Sequence, residues 1–289
     1  MGFNIIVLAK QVPDTRNVGS DAMTPEGTVN RSALPAIFNP EDMNALEQAL
    51  RLKDKFPGTT VKVLTMGPPR AGQIIREALY RGADGGYLLT DRAFAGADTL
   101  ATSYALSAAI RHIGNPDIIL GGRQAIDGDT AQVGPQVAQK LGLPQVTYVE
   151  EIKECAPEYV VVERHIDGGV ETVKCPLPAV LTVNGSAAPC RPRNAKLMIK
   201  YKRALCPAEK TEDMPYASEY EKKPYLTLTQ LNCADVNADL SQCGLAGSPT
   251  KVKQVENIVF QAKESRRLTS SDADIEGLIK ELVSSHTIG

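Results

Sequence analysis

One stretch of the chain, GGRQAIDGDTAQVGPQVAQKLG from Gly121 onward, gathers residue types that can hold a phosphate. Glycines let a ligand approach the backbone, and the amide groups that open a helix attract anions through hydrogen bonds and the helix dipole. Thr130 and Gln132 could add side-chain hydrogen bonds, and Arg123 could neutralise the phosphate charge. These residue types predict a pyrophosphate site at the start of a helix that ends at Gly142.

Two features of the same stretch oppose that interpretation. Asp127 and Asp129 flank the predicted site and would repel a phosphate unless they face ribose hydroxyls or cap the helix. The GxGxxG fingerprint of dinucleotide-binding folds and the GxxxxGK[ST] phosphate loop do not occur in the sequence. For this stretch taken alone, an ordinary capped connection between a strand and a helix is the alternative.

The other residue types that often carry chemistry are scattered. The cysteines form no CxxC pair and no Cys/His group with metal-ligand spacing, so reduced thiols with structural roles are expected. The histidines are also far apart, and no catalytic triad is indicated. The residues concerned are Cys155, Cys175, Cys190, Cys206, Cys233, Cys243, His112, His165 and His286.

The bulk properties are those of a folded globular chain, with 43% apolar and 23% charged residues. The formal net charge of −2 gives no general electrostatic reason to bind nucleic acid or an anionic membrane surface. No apolar run approaches the roughly 20 residues that span a bilayer. The opening MGFNIIVLAKQVPD has neither a basic region nor a cleavage site. We therefore expect a cytoplasmic protein, with no nucleic acid as partner and no membrane insertion.

Strands and helices alternate in the first half of the sequence. Short aliphatic runs typical of buried parallel strands cover residues 3–9, 60–66, 86–89 and 117–121. The first helical pattern has Asn39 as its N-cap, Pro40 at its first position and acids in its first turn. Further helices are predicted over residues 70–82 and 98–113. This alternation predicts an α/β fold with a doubly wound, mostly parallel sheet.

In such a sheet, ligands bind beyond the carboxyl ends of the strands. The segments that follow the four predicted strands are therefore expected to form the site. They cover residues 8–10, 66–72, 89–98 and 121–134. The last of these segments is the stretch with phosphate-binding residue types.

Two motifs carry a family resemblance. GGRQAIDGDTAQVGP resembles the adenine-nucleotide loop of electron transfer flavoprotein beta subunits, in which QAID precedes an acidic turn and Q-x-G. VERHIDGGVETVKCPLPAVLT at 162–182 resembles the signature of the same family, with Arg164, Asp167 and Glu171 at its spacing. The second motif is also typical of a β-hairpin that turns at DGG, and its three charged residues are expected to have architectural roles. Further similarity covers residues 8–15, 39–53 and 66–71.

The resemblance implies a Rossmann-like, adenine-nucleotide-binding domain over residues 1–206 that works in a heterodimer with an alpha subunit. It also implies the residues that hold the nucleotide. These are Leu8, Ala9, Asn39, Pro40, Glu41, Asp42, Met66, Arg123, Gln124, Ala125, Ile126, Asp127, Gly128, Asp129, Thr130, Ala131, Gln132, Val133 and Gly134. The rival is an ATP-using enzyme of a related fold, which would have a glycine-rich phosphate loop after the first strand. LAKQVPDT stands there instead.

Members of this family differ in what the beta subunit binds. Conventional members hold a structural AMP, whereas electron-bifurcating members hold a second FAD that accepts a hydride from NADH. DGDTAQVGP, GADTLATS at 96–103 and VPDT at 12–15 resemble the bifurcating group. Gly128 would let a ligand approach the backbone. FAD is therefore expected in this chain, and AMP is the alternative.

Four residues at the start of the third helix would contact the additional part of FAD. The hydroxyls of Thr99, Thr102 and Ser103 could reach ribityl or phosphate oxygens, next to Asp98. The alternative is that Asp98 and Thr99 cap the helix while the other two hydroxyls face solvent.

Composition changes in the last third of the chain. Residues 207–224 are polar and contain prolines, which predicts an exposed segment, and residues 272–284 predict an amphipathic helix. We expect residues 207–289 to form an extended arm that contacts the alpha subunit. The resemblance makes Leu197 the candidate for docking to an acyl-CoA dehydrogenase-type enzyme, although Asn194 replaces the usual tyrosine. It also implies ferredoxin or flavodoxin as the low-potential acceptor.

Overall fold

The computed structural model describes residues 2–14, 35–211, 216–250, 265, 267–285 and 287–288. The chain divides into two compact units, Met1–Lys253 and Gln254–Gly289. The strands of the first unit are β1 (Asn4–Leu8), β2 (Gln11–Pro13), β3 (Ala36–Phe38), β4 (Thr60–Met66), β5 (Gly85–Leu89), β6 (Ile118–Gly122), β7 (Gln145–Ala156), β8 (Tyr159–Ile166), β9 (Gly169–Pro176), β10 (Ala179–Val183) and β11 (Thr229–Leu231). Its helices are α1 (Pro40–Lys55), α2 (Gly72–Leu79), α3 (Thr99–Ile113), α4 (Val133–Leu141), α5 (Ala195–Tyr201) and α6 (Ala217–Lys222).

A nine-stranded sheet forms the centre of the first unit, in the order β11-β5-β4-β1-β6-β10-β7-β8-β9. The pairs from β11 to β7 are parallel, whereas β8 pairs antiparallel with β7 and with β9. Strands β2 and β3 form a separate antiparallel pair. The sheet is therefore mostly parallel, as the sequence predicts.

Helices cover both faces of the parallel part of the sheet. Val7 of β1 lies in the buried cluster that contains Leu46 of α1, whereas the next residue back, Ile6, lies in the cluster that contains Ala105 of α3. A strand with both faces covered needs apolar side chains along its buried length, which explains the run IIVL at residues 5–8. The predicted doubly wound α/β fold is confirmed.

The elements differ from their predicted bounds at two places. The helix predicted over 70–82 begins only at Gly72, after a short 3-10 turn over Pro69–Ala71, and α2 ends at Leu79. Proline fixes the backbone of that turn and cannot donate to a helical ladder. Strand β7 was not predicted, because QVTYVEEIKECA interleaves charged residues with apolar ones at an irregular spacing.

The predicted hairpin is formed by β8 and β9. Arg164 lies directly opposite Glu171, and their Nη1 and Oε2 atoms are 3.6 Å apart. Gly168 in the turn has a φ of +83°, a conformation that glycine adopts without steric cost. The expected architectural role of Arg164 and Glu171 matches this cross-strand ion pair.

The end of the first unit differs from the predicted boundary at residue 206. Residues 207–211 and 216–224 are largely exposed, as expected for that segment. Beyond them, however, β11 pairs with β5, and Leu226 and Leu228 pack in a buried cluster with Ile75 and Leu79 of α2. The apolar residues that follow the polar segment therefore return the chain to the sheet.

The second unit contains α7 (Asp272–Ser284), which has the predicted bounds. The hydroxyl oxygen of Ser271 accepts the backbone N–H of Asp274 at 3.3 Å and caps this helix. Ile275 and Ile279 are exposed on it. Across the described parts of both units, no helix is long and apolar enough to cross a membrane.

Candidate nucleotide-binding site

The carboxyl end of the sheet brings together several of the predicted site segments. Lys10 follows β1 and donates its backbone N–H to Asp42 of α1 at 2.8 Å, and Gly122 at the end of β6 donates to the same carboxylate at 2.8 Å. The hydroxyl of Thr99, at the start of α3, donates to Oε1 of Gln132 at 2.9 Å. The segments that follow β1, β5 and β6 therefore border one site.

Asp42 is a buried acid at this edge of the sheet. Burial raises its pKa to about 7, although the backbone N–H groups of Lys10 and Gly122 act in the opposite direction. Residue 122 must be glycine for this contact, because a Cβ there would lie 2.5 Å from Oδ1 of Asp42. The carboxylate thereby ties β1, α1 and β6 together at one point.

Asn39 holds the loop that follows β6. Its Nδ2 donates to the carbonyl of Gln124 at 2.8 Å, and its Oδ1 accepts the N–H of Ile126 at 3.1 Å. Asn39 occupies the N-cap position of α1, but its side chain makes no capping hydrogen bond. The prediction that Asn39 caps the helix is therefore correct in position and wrong in chemistry, since the amide is engaged by the loop.

Glu41 and Arg123 form an ion pair at the start of the loop. Oε1 of Glu41 lies 3.1 Å from Nη2 of Arg123, while its Oε2 accepts the backbone N–H of Gln124 at 2.9 Å. The hydrogen bond that Arg123 donates to Glu41 raises the pKa of Arg123 further above its usual value. Nε of Arg123 is buried and has no hydrogen-bond partner among the described residues. The Arg123 side chain as a whole is 23% exposed, so other parts of the guanidinium can still reach a ligand.

Tyr148 of β7 is a neighbour of Arg123 that sequence reasoning missed. The centroid of its ring lies 5.2 Å from Cζ of Arg123. Its backbone has a φ of +59°, which is rare for a bulky side chain. An aromatic residue in a strand gives no signal of such a conformation, so only the structure identifies it.

The two acids that weighed against a phosphate site have partners. Both carboxylate oxygens of Asp127 accept from Nζ of Lys10, at 2.8 and 2.9 Å, so the ammonium balances that charge. Oδ1 of Asp129 accepts from Nε2 of Gln124 at 2.9 Å. Neither acid makes a capping hydrogen bond to α4. The repulsion expected from Asp127 is therefore compensated within the loop.

The second half of the loop presents a row of backbone N–H groups. Ala131 has a φ of +52°, and Gln132 after it is in the right-handed helical region. Such an alternation turns successive N–H groups toward one concave side, an arrangement that binds anions. Within the described part of the chain, the N–H groups of residues 130–134 donate to no acceptor. We refer to residues 130–134 as the amide nest.

The remaining loop residues fix its shape. The carbonyl of Ala125 accepts the N–H groups of Gly128 and Asp129 at 3.2 and 2.9 Å, which closes a turn. A Cβ on Gly134 would lie 2.4 Å from Cγ2 of Thr182, so the first turn of α4, which starts at Val133, packs directly on β10. A Cβ on Gly128 would meet nothing within 4 Å.

The contacts at the start of α3 show which of its polar residues have structural roles and which remain available to a cofactor. Asp98 caps the helix, accepting from the N–H groups of Leu100 and Ala101, and its other oxygen accepts from Thr250. Burial acts to raise its pKa, but these hydrogen bonds outweigh it and lower the pKa below its usual value. Ser103 is fully buried and donates to the carbonyl of Leu100, so the expectation that it contacts a cofactor or solvent is wrong.

Other predicted residues lie beneath the site or away from it. Leu8 and Ala9 are buried, and Met66 packs against the cluster that contains Leu8. Thr102 is half-buried one turn into α3. Leu197 lies in the first turn of α5, where its N–H donates to Oδ1 of Asn194 at 3.2 Å. The N–H of Asn194 reaches the carbonyl of Tyr80 at the end of α2, away from the carboxyl edge of the sheet.

The donor set suits a ligand that carries phosphate groups. It combines the amide nest with the guanidinium of Arg123, whose side chain is 23% exposed. A metal centre is not indicated, because no group of three or more His, Cys, Asp or Glu residues in the described part of the chain could hold an ion. Backbone N–H groups and an arginine are the donors that proteins commonly offer to phosphates.

Comparison with known proteins agrees with this chemistry. The electron transfer flavoprotein domain matches residues 26–203. Subunit CarD of the caffeyl-CoA reductase-Etf complex of Acetobacterium woodii is 44% identical over 256 residues, which cover 86% of each chain. The electron transfer flavoprotein beta subunit of Thermoanaerobacterium thermosaccharolyticum is 41% identical over 286 residues, covering 99% of this chain and 100% of the relative.

A third relative carries a different name but a similar extent. The acryloyl-CoA reductase electron transfer subunit gamma of Anaerotignum propionicum is 39% identical over 296 aligned positions, covering 99% of this chain and 100% of the relative. The family resemblance seen in the sequence motifs is thus confirmed over the whole length. The chain belongs to the electron transfer flavoprotein family, among its beta subunits.

Proposed function

We propose that the chain binds FAD at the carboxyl edge of its sheet and, paired with an alpha subunit, takes part in electron bifurcation from NADH. The observation that carries this proposal is the amide nest, whose N–H groups have no acceptor in the described structure and lie in the same loop as Arg123. A pyrophosphate would satisfy these donors. Its negative charge would also complement the positive end of α4.

The chain's own residues would bind and position the cofactor. The amide nest and Arg123 would contact phosphate oxygens, while Asn39 and Asp42 hold the loop against α1. When bound, FAD would supply the hydride and single-electron chemistry, and the protein would set its orientation and electrostatics. No side-chain acid or base is assigned a catalytic role.

Two observations favour FAD over a smaller nucleotide. The hydrogen bond from Thr99 to Gln132 connects the loop to the start of α3, so the wall of the site continues onto that helix. Gly128 leaves open space beside the loop. A ligand with a second ring system and a ribityl chain could use this additional wall.

AMP is the second candidate, and specific contacts favour it. Asp98 is engaged by the helix and by Thr250, and the hydroxyl of Ser103 is buried. These two residues therefore offer nothing to the flavin part of FAD. In this version the nucleotide would be structural, and electrons would pass only through the alpha subunit.

The partners proposed here follow from the relatives and from exposed residues. Two relatives are named as subunits of caffeyl-CoA reductase and acryloyl-CoA reductase systems. We therefore expect a dehydrogenase-type partner that acts on an acyl-CoA, with Leu197 near the docking surface, and ferredoxin or flavodoxin as the low-potential acceptor in the cytoplasm. The exposed apolar residues of α7, including Ile275 and Ile279, suit a contact with the alpha subunit.

A count of released nucleotides tests the proposal. The chain is purified together with its alpha subunit, the complex is denatured, and FAD and AMP are quantified by chromatography. Two FAD molecules per heterodimer are expected. One FAD together with one AMP would establish the second candidate and refute the first.

A matched pair of arginine variants assigns the nucleotide to this chain. Arg123→Gln removes the guanidinium from the loop and should release the nucleotide of the beta site while the other flavin stays bound. Arg111→Gln changes an exposed arginine in the last turn of α3, outside the predicted site segments, and should leave both nucleotides in place. Equal retention in both variants would contradict the assignment of the site.

A further inference from the structure

Tyr148 lies where β7 departs from its regular pairing with β10. Leu181 and Val183 are two residues apart on β10, whereas their partners Val146 and Val149 are three residues apart on β7. The extra residue makes a β-bulge, a device that redirects a side chain and is frequent near active sites. With a φ of +59°, Tyr148 also holds a conformation that a bulky residue keeps only where its surroundings enforce it.

The bulge places the ring of Tyr148 beside the guanidinium of Arg123. Three elements then hold this arginine: α1 through Glu41 at 3.1 Å, β10 through the carbonyl of Val183, which accepts its N–H at 2.8 Å, and β7 through the ring at 5.2 Å. Tyr148 is still 37% exposed. The guanidinium is therefore held from three sides at the carboxyl edge of the sheet, and the ring of Tyr148 remains accessible from solvent.

A purely structural cation–π contact would not require this backbone. Nζ of Lys174 lies 3.6 Å from the ring centroid of Tyr159 on the β8–β9 hairpin, and Tyr159 is not among the described residues with positive φ. That pair shows that the chain can stack a cation on a tyrosine within regular strands. The strained backbone at Tyr148 therefore indicates a role other than the stacking of a cation on its ring.

We propose that Tyr148 is a positioning residue for the phosphates of the bound nucleotide, acting through Arg123. The ring keeps the guanidinium turned toward the ligand instead of letting it close fully onto Glu41. This inference rests on the proposed nucleotide site. It adds Tyr148, which lies outside the loop, to the residues that determine the affinity of the site. Its ligand class is an anionic nucleotide, either FAD or AMP.

Binding measurements on the heterodimer stripped of nucleotide test the proposal. The dissociation constants of FAD and of AMP are measured by titration calorimetry for the wild type, Tyr148→Phe and Tyr148→Asn. Phenylalanine keeps the ring but loses the hydroxyl, which also contacts Arg123, so binding should stay within about threefold of wild type and weaken less than in Tyr148→Asn. Asparagine tolerates the left-handed backbone but lacks the ring, so binding should weaken about threefold to tenfold, the range of a cation–π contact.

Two further variants serve as a replacement and as a control. Tyr148→Gly also accepts a positive φ and should weaken binding as Tyr148→Asn does, so it replaces that variant if the latter does not fold. Tyr159→Asn removes the ring that stacks on Lys174, and it should leave both dissociation constants unchanged. A loss of affinity in Tyr159→Asn equal to that in Tyr148→Asn would overturn the specific role of Tyr148.

A double-mutant cycle shows whether Tyr148 acts through Arg123. In an Arg123→Gln background, Tyr148→Asn should cause no additional loss of affinity. Additive losses would overturn the inference while leaving the proposed site intact. If the wild-type heterodimer binds neither FAD nor AMP, the proposed function fails and this inference with it.

Discussion

Asp42 and Gly122 approach each other so closely that no side chain fits between them. The N–H of Gly122 donates to Oδ1 of Asp42 at 2.8 Å, and a Cβ on Gly122 would lie 2.5 Å from that oxygen. This contact fixes the point at which the nucleotide loop leaves β6. The position of the loop relative to α1 is therefore set by backbone as much as by side chains.

A methyl group at residue 122 should disrupt this junction. Gly122→Ala would also place its Cβ 2.7 Å from the backbone N of Asp42, so the start of α1 would have to move. We expect a loss of about 1–3 kcal/mol in the free energy of unfolding, measured by urea denaturation of the heterodimer. Gly128→Ala is the matched control in open space, and it should change that free energy by less than about 0.5 kcal/mol.

The buried carboxyl of Asp42 predicts a pH dependence. Its pKa rises from 3.8 to about 7 on folding, mainly through burial. Between these values the folded state binds a proton that the unfolded state has released, so this group's contribution to the free energy of unfolding falls as pH rises. The Asp42→Asn variant has no titrating group at this position. The amount by which its free energy of unfolding falls below that of wild type should therefore decrease between about pH 4.5 and about pH 8.

Urea denaturation of both proteins at several pH values measures this difference. All other titrating groups are shared, so they cancel in the comparison. A deficit that grows with pH would mean that the two N–H donors dominate over burial and hold the pKa of Asp42 below its usual value.

Removal of the Asn39 side chain should loosen the loop locally. Asn39→Ala loses the hydrogen bonds to the carbonyl of Gln124 and the N–H of Ile126. We expect amide hydrogen exchange in residues 123–129 to accelerate on the order of tenfold, the effect of roughly one or two buried hydrogen bonds. Mass spectrometry of the corresponding peptides measures it.

Asn44 of the same helix provides the control for this experiment. Its Nδ2 donates to the carbonyls of Ala187 and Ala188, at 2.8 and 3.0 Å, and not to the nucleotide loop. Asn44→Ala should accelerate exchange near residues 187 and 188 alone. Faster exchange in the nucleotide loop of that variant would show that Asn39 has no specific role there.

The ion pair between Lys10 and Asp127 should matter more for binding than for stability. Their side chains are 51% and 19% exposed, so we expect Lys10→Met to change the free energy of unfolding by less than about 1 kcal/mol. Nucleotide affinity should fall on the order of threefold to tenfold, because the charge of Asp127 would face the phosphates uncompensated. The double variant Lys10→Met/Asp127→Asn should recover that affinity in calorimetry, and a further loss would contradict this explanation.

The sequence predicted the parts of the fold that depend on local patterns. The mainly aliphatic runs IIVL and VKVL, with helical patterns between them, were sufficient for the parallel sheet, because such strands are largely buried on both faces. The loop after β6 was found through its glycines, amides and acids. Its location at the carboxyl edge of the sheet then followed from the topology of the fold.

Other features depend on contacts between distant residues and carry no local signal. Asn39 fits an N-cap by its type and position, yet its amide bonds to the loop 85 residues away. Ser103 fits an exposed helical start but faces the interior. The conformation of Tyr148 arises from a bulge against β10, which follows β7 by more than two dozen residues in the chain. A local sequence pattern does not reveal pairing between residues that are so far apart in the chain.

The return of β11 to the side of β5 bears on how the chain can be divided. The family domain ends at residue 203, before this strand begins. A fragment cut there would leave the backbone groups of β5 as an open sheet edge and would uncover Ile75 and Leu79, which Leu226 and Leu228 shield in the complete unit. An open edge beside uncovered apolar residues favours self-association, so a fragment ending at residue 203 should aggregate more readily than the complete unit.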